Sequence, residues 1–275
     1  MRFLLAVGLA MLGACAHAEA APRADLWARW TAHDPNSSIM VDHAAWDELL
    51  ARYNVAAADG SRRFAYANVA ADDRRRLGAY LDRLAGAAVS RLARDQQRAY
   101  WINLYNALTV QVVLDRWPVE SIRDISISPG LFSSGPWGKK LATVEGERLS
   151  LDDIEHRILR PIWKDARVHY ALNCAAVGCP DLQPVAFTAA NSEELLERAA
   201  RAFVNHPRGV AIEEGRRLVV SSIYVWFQDD FGDGTDAGVI AHLARHAAPE
   251  LKARLDGIAR IADHRYDWAI NAALK

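Results

Sequence analysis

Between Asp95 and Trp117, apolar side chains recur at three- and four-residue spacing. Trp101, Leu104, Tyr105, Leu108 and Val112 share one face, and Pro118 follows. A run of that length and period reads as an amphipathic helix, and the proline stops it because it has no amide hydrogen for another turn. Two shorter helices precede it. In Asp42–Tyr53 the side chains Trp46, Leu49, Leu50 and Tyr53 keep helical step, and Asp42 is placed to cap the first turn; from Asp72 to about Leu84, Leu77, Tyr80, Leu81 and Leu84 do the same.

Past Pro118 the pattern loosens. Ile122, Ile125 and Ile127 alternate before Pro129-Gly130, and Leu141–Val144 faces Arg148–Leu149 across Glu145-Gly146, which predicts a short hairpin. Ser150 and Asp153 have capping-box spacing for a helix that buries Leu151, Ile154 and Ile158 and ends at Pro161. Val168–Asn173 alternates apolar with smaller or polar residues and is read as a strand entering a turn around Gly178 and Pro180. A helix through Leu195, Leu196, Ala199 and Phe203 follows, capped by Asn191 or Ser192. Next come a second hairpin of Val210–Ile212 with Leu218–Val220, an aromatic helix opened by Ser222, and a helix from about Gly238 to His246. The fold class these elements predict is α+β: a single helix-rich domain with short antiparallel hairpins and a small sheet, over residues 21–275.

The first twenty residues are different in kind. Met1-Arg2, an apolar run from Phe3 to Leu12, and the small residues around Ala14–Ala18 have the charged, apolar, cleavable order of a secretory signal. Two processing routes fit: cutting before Cys15 with lipid attached there, or ordinary cleavage after Ala16-His17-Ala18. Either predicts a periplasmic or secreted protein, with the lipid anchor at Cys15 belonging to the first. No later stretch has the roughly 18 uninterrupted apolar residues of a membrane span. A formal charge of -1 offers no basic field for nucleic acid, and half the chain (51 %) is apolar with nine Trp, so a core needs neither metal nor disulfide. A peptide-like or cell-envelope ligand is the expected partner; no cofactor is expected.

Chemistry concentrates in Arg167-Val168-His169-Tyr170-Ala171-Leu172-Asn173-Cys174-Ala175-Ala176-Val177-Gly178-Cys179-Pro180. Together with Tyr100–Ala107, Ser150–His156 and the closing Tyr266-Asp267-Trp268, this block resembles the domain of unknown function family numbered 547, from about Ala65 to the end. The resemblance implies no catalytic role, so the residues carry the reading. Cys174, beyond a strand end, is a candidate thiol nucleophile. His169 or His156, beside Glu155, would manage its proton, and turn amides would hold an oxyanion. On an ideal strand His169 and Cys174 face opposite sides, so the chain must bend to join them. Asn103, Asn106, Asn173 and Arg167 are candidate substrate-binding groups. The commoner roles are internal hydrogen bonds to loop backbone for the helix asparagines and an ion pair with Asp165 or Asp267 for Arg167.

Other readings of the same residues stay open. In an oxidising compartment Cys174 and Cys179 can bridge into a structural disulfide, which suits a non-enzymatic binding or scaffold protein. Cys174, Cys179, His169 and His156 match no familiar zinc spacing, so no metal is expected, and His242 with His246, lacking the zinc-protease glutamate, predicts a solvated helix face.

Overall fold

The computed structural model describes residues 22–130 and 134–273. The signal-like segment and Cys15 lie outside the described residues. The first helix, α1 (Ala44–Tyr53), starts as Asp42 Oδ1 accepts the Ala44 amide at 2.9 Å, and it leads into a hairpin of β1 (Asn54–Ala56) and β2 (Arg62–Phe64). Then come α2 (Ala71–Ala85) and α3 (Arg94–Arg116), the latter ended by Pro118.

Helix α3 is not amphipathic in place: from Gln97 to Val110 every residue is buried, so it forms the centre around which the other elements pack. A helix surrounded on all sides must find partners for its polar groups, because an unpaired buried amide costs several kcal/mol. Asn103 holds the backbone of Phe187 from both sides, at 2.7 and 3.0 Å, and Thr109 donates to the Tyr105 carbonyl. Trp101, fully buried, meets Trp30 edge-on at 5.0 Å.

The expected hairpin is β3 (Ala142–Val144) with β4 (Glu147–Leu149). The Ser150/Asp153 capping box forms, each side chain bonded to the other's amide. Asp153–Leu159 then winds as a π-helix and continues as α4 (Arg160–Trp163), so Pro161 does not end it. The proline falls in the first turn of α4, where a missing N–H is tolerated. Val168–Ala171 is a short helix, α5, not a strand: the Leu172 amide returns to the Val168 carbonyl at 3.2 Å. Four residues cannot separate the two periods, and burial on both sides of α5 produced the apparent alternation. His169 packs on Phe227, and Tyr170 packs into the other side among Phe203, Tyr224 and His242. Nor do Ile122–Ile127 form a strand; Ile122–Asp124 is a 3-10 turn capped by Ser121.

Helix α6 (Ser192–Val204) and the hairpin β5 (Val210–Glu213) with β6 (Arg217–Ser221) follow as expected. After them come α7 (Ser222–Trp226), α8 (Gln228–Phe231), α9 (Asp236–His246) and α10 (Pro249–Leu255), a crossover that lets β7 (Asp263–Arg265) join β6 in parallel. His242 and His246 are buried, not solvated. His242 Nε2 lies 2.8 Å from the Tyr170 hydroxyl, and burial lowers the His242 pKa to about 3, leaving it neutral. No helix among the described residues is long and apolar enough to cross a membrane. The result is a helix-rich α+β domain.

Beyond β7 the chain returns across the molecule as an extended strap. Gly178 N bonds to Asp267 O (2.8 Å), Ile270 N to Glu120 O (2.8 Å), Asn271 N to Ala175 O (2.8 Å) and Phe64 N to Asn271 O (2.9 Å). Residues far apart in sequence are thereby tied at the 172–180 turn. A Cβ on Gly178 would sit 2.7 Å from Asp267 N and 3.0 Å from Asp267 O. Gly178→Ala is therefore expected to lift the strap at a cost of about 1–3 kcal/mol, measured as a lowered denaturation midpoint.

Candidate thiol site

The 172–180 turn is held from beneath by amide side chains. Asn106 caps the end of α5 twice, donating Nδ2–H to Ala171 O and accepting from Asn173 N, both at 2.8 Å. Asn173 donates to Pro180 O (2.8 Å) and accepts from Ala175 N (2.9 Å) and from Asn271 Nδ2 (3.1 Å). Tyr66 closes the chain by donating to Asn271 Oδ1. So Asn103, Asn106 and Asn173 are committed to backbone and, for Asn173, to Asn271, and their role is positioning. Arg167 is likewise engaged, forked on Asp165 with a further contact at Glu193.

These bonds bend the chain sharply at Cys174. Ala175 takes φ of +64°, a left-handed conformation that costs a residue with a Cβ about 1–2 kcal/mol and that clusters at functional sites. Cys174 N donates to Cys179 Sγ at 2.9 Å, and Cys174 Sγ lies 3.0 Å from the Tyr266 hydroxyl. Both cysteines are free thiols; Cys174 is half-buried, whereas Cys179 is buried and donates weakly to Leu172 O. The Cys179 thiol against it, the Tyr266 hydroxyl and the Ala176 amide lower the Cys174 pKa despite burial. Burial, and then the neighbouring Cys174 sulfur, push Cys179 well up. Tyr266 is also pushed well above its ordinary value, so it is the donor to a Cys174 thiolate.

The amides of the turn do not form the expected oxyanion hole. Asn173, Cys174 and Ala175 donate as described. Val177, Gly178 and Cys179 donate to Ala269 O, Asp267 O and Ala176 O. The bend that presents the sulfur thus engages most of the N–H groups that were to receive a negative oxygen.

Neither histidine is hydrogen-bonded to Cys174. The π-helical turn, a distortion common at functional sites, brings Glu155 and His156 beside α5 instead. His169 Nε2 lies 2.7 Å from Asp230 Oδ2 and its Nδ1 lies 3.6 Å from Glu155 Oε1. Arg160 bonds to the same Asp230 oxygen and also to His156 Nδ1 at 3.0 Å. Burial works against the His169 charge, but hydrogen bonds to Asp230 and Glu155 raise its pKa overall. Burial similarly opposes Glu155 ionisation, yet the charges of His156, His169 and Arg160 hold its carboxyl at about 2. His156, lowered chiefly by burial, is the neutral member. Phe227 stacks on His169 at 4.5 Å with Arg160 over it at 4.6 Å.

Around Cys174 the strap and α7 raise an aromatic wall. Trp226 lies 4.9 Å from Tyr266 and 5.6 Å from Trp268, Trp268 lies 4.6 Å from Tyr266, and Trp137 closes the end at 5.7 Å from Trp268. These rings are half-buried, with part of each open to solvent. Tyr266, Asp230 and Arg160 were not singled out as site residues from sequence. Nothing local marks them: Asp230 is 61 positions from the histidine it holds, and Tyr266 is 92 from its cysteine.

Residues 89–204 match the model of the family described as Protein of unknown function, DUF547. The match is a central segment, shorter than the expected span from Ala65 to the end, and it carries Asn103, Glu155, His169, Cys174 and Cys179. Asp230, Tyr266 and the aromatic wall's Trp226 and Trp268 lie beyond it. No curated protein and no solved structure matches the chain.

Proposed function

For a chain whose residues 89–204 belong to the DUF547 family, we propose a thiol-dependent enzyme of the cell envelope that hydrolyses or transfers acyl or amide groups of a peptide-like or cell-wall substrate. One observation carries the reading: Cys174 is a half-buried thiol of lowered pKa on a strained turn, with a protonated phenol 3.0 Å from its sulfur, at the foot of an aromatic wall. Thiolate character in a partly accessible position is what separates reactive from inert cysteines. The signal-like residues 1–20 motivate the envelope location.

In this reading the Cys174 thiolate adds to the substrate carbonyl. The bond to the leaving group then breaks, and the leaving group takes the Tyr266 proton, giving a thioester. Water opens the thioester, its oxygen joins the acyl carbon, its proton returns to Tyr266, and Cys174 leaves as thiolate. Tyr266 replaces the histidine in proton transfer because both His169 nitrogens are occupied. Glu155, His169 and His156 then act by holding α5 in place and take no part in the proton transfer.

The test joins two readouts on the reduced protein. Acylation by a peptidyl p-nitrophenyl ester is expected to place the acyl group on Cys174, seen by intact mass and peptide mapping, and Cys174→Ala is expected to abolish it. The rate of Cys174 alkylation by iodoacetamide should rise with pH through a midpoint below the ordinary thiol value of 9.0, and Tyr266→Phe should move that midpoint up. Acylation that survives in Cys174→Ala, or a native protein that resists alkylation at Cys174 while reduced, sinks the proposal and favours the binding or scaffold reading.

A further inference from the structure

The thiol site contains a second sulfur that the acyl chemistry does not use. Cys179 sits below Cys174, 4 % exposed, with its sulfur 2.9 Å from the Cys174 amide. Buried thiols are ordinarily inert fillers. Here three features argue otherwise. The loop of four residues between the cysteines is already drawn closed, because Asn173 Nδ2–H bonds to Pro180 O at 2.8 Å and so ties together the residues immediately outside the two cysteines. The left-handed Ala175 turns the chain back within that loop. The pair is also asymmetric: Cys174 is within reach of a small molecule, whereas Cys179 is shielded so that its first available reaction partner is Cys174 itself.

We infer that Cys174 and Cys179 form a redox couple, in which Cys174 is oxidised by a small hydroperoxide and Cys179 resolves the product as an intramolecular disulfide. The inference rests on the reading of Cys174 as a nucleophile and extends it from carbonyl carbon to peroxide oxygen.

The atoms balance as follows. The Cys174 thiolate attacks the terminal oxygen of the hydroperoxide; an S–O bond forms, the O–O bond breaks, and the departing alkoxide or hydroxide is protonated, the Tyr266 hydroxyl being the nearest donor. Cys174 is then a sulfenic acid. The Cys179 sulfur attacks the Cys174 sulfur; the S–S bond forms, the S–O bond breaks, and the hydroxide leaves with the Cys179 proton as water. Two thiols and one hydroperoxide become one disulfide, one alcohol or water, and one water, with two electrons passing from sulfur to oxygen. In the bridged form Cys174 has no free thiolate, so the same event silences the carbonyl chemistry until a dithiol reduces the bond.

The test uses the full reduced chain, hydrogen peroxide as oxidant, dimedone as a trap for sulfenic acid, and iodoacetamide to count remaining thiols by peptide mapping. The wild type is expected to lose two hydrogens, to accumulate no dimedone adduct, and to lose alkylation at Cys174 in step with bridging. Dithiothreitol should restore the mass and the alkylation. Cys179→Ser and Cys179→Ala are each expected to stop at the sulfenic acid and to collect dimedone on Cys174; agreement between them separates a resolving role from a packing defect. A wild type that collects dimedone as readily as the variants, and forms no bridge, overturns the resolving role while leaving Cys174 as a nucleophile. A Cys174 inert to both peroxide and iodoacetamide overturns the couple and the acyl reading together.

Discussion

Asp230→Asn is expected to lower stability by about 3 kcal/mol, read as a reduced denaturation midpoint at unchanged denaturant slope. One Asp230 oxygen serves two buried groups: the Arg160 guanidinium, whose side chain is 5 % exposed, and the His169 ring, at 2 %, whose protonation it favours. An amide of the same shape keeps the packing but cannot balance the Arg160 charge or favour a proton on His169. Breaking a buried pair typically costs 3–5 kcal/mol because the stranded partner stays desolvated; the lower end applies since Asp230 is itself 22 % exposed. Because this cluster holds α5 and does not touch the sulfur, Cys174 alkylation in the folded variant should be unchanged.

The pH dependence of stability follows from the same groups. Glu155 and Asp230 have depressed values, so their contribution is present above their ordinary 4.5 and 3.8 and disappears as pH falls through the folded values. His169 is raised, so its contribution is full below its ordinary 6.5 and is lost as pH rises through the folded value. Glu155, Asp230 and His169 together therefore contribute most between about 4.5 and 6.5, His156, lowered by burial, opposing them as pH falls below 6.5, and Asp230→Asn should flatten the arms that Asp230 and His169 supply.

Asn106→Leu is expected to cost about 4 kcal/mol. The leucine fills similar space but leaves the Asn173 amide and the Ala171 carbonyl, both buried, with no partner, and each such loss runs to about 1–3 kcal/mol. Unlike Asp230→Asn, this change also releases the turn that aims the sulfur, so the lowered pH midpoint for Cys174 alkylation should move back toward the ordinary thiol value. Asn103→Leu is the matched control. It strands two groups of Phe187 and should destabilise comparably, yet leave the thiol midpoint in place.

Much of the local structure was legible before any coordinates. Helix α3 announced itself through period and a terminal proline, and the hairpins through Glu145-Gly146 and Gly215, whose positive φ angles suit such turns. Legibility failed where a segment was shorter than the period it had to display. Val168–Ala171 alternates only because both sides of a one-turn helix are buried, and Ile122–Ile127 carries its apolar residues around a 3-10 turn. Pro161 misled for a related reason, since the π-turn before it places the proline at a helix start. His242 and His246 were misplaced because burial depends on what packs opposite, here Tyr170.

By itself the sequence determined the helix-rich α+β class and the place of Cys174 in the richest block of chemistry, and it offered Asp165 or Asp267 as a partner for Arg167, of which the structure chose Asp165. Those properties are encoded within a few helical turns, where periodicity, caps and charge spacing act directly on the chain. Only the tertiary structure decided what the sulfur faces. It withdrew His169 into a salt-bridge cluster with Asp230, spent the turn amides on the strap and on the turn itself, and set Tyr266 on Cys174. Each of those outcomes joins residues from 61 to 92 positions apart or depends on the returning strap. Such contacts leave no period or spacing to read, because they are chosen by which packing satisfies every buried polar group at once.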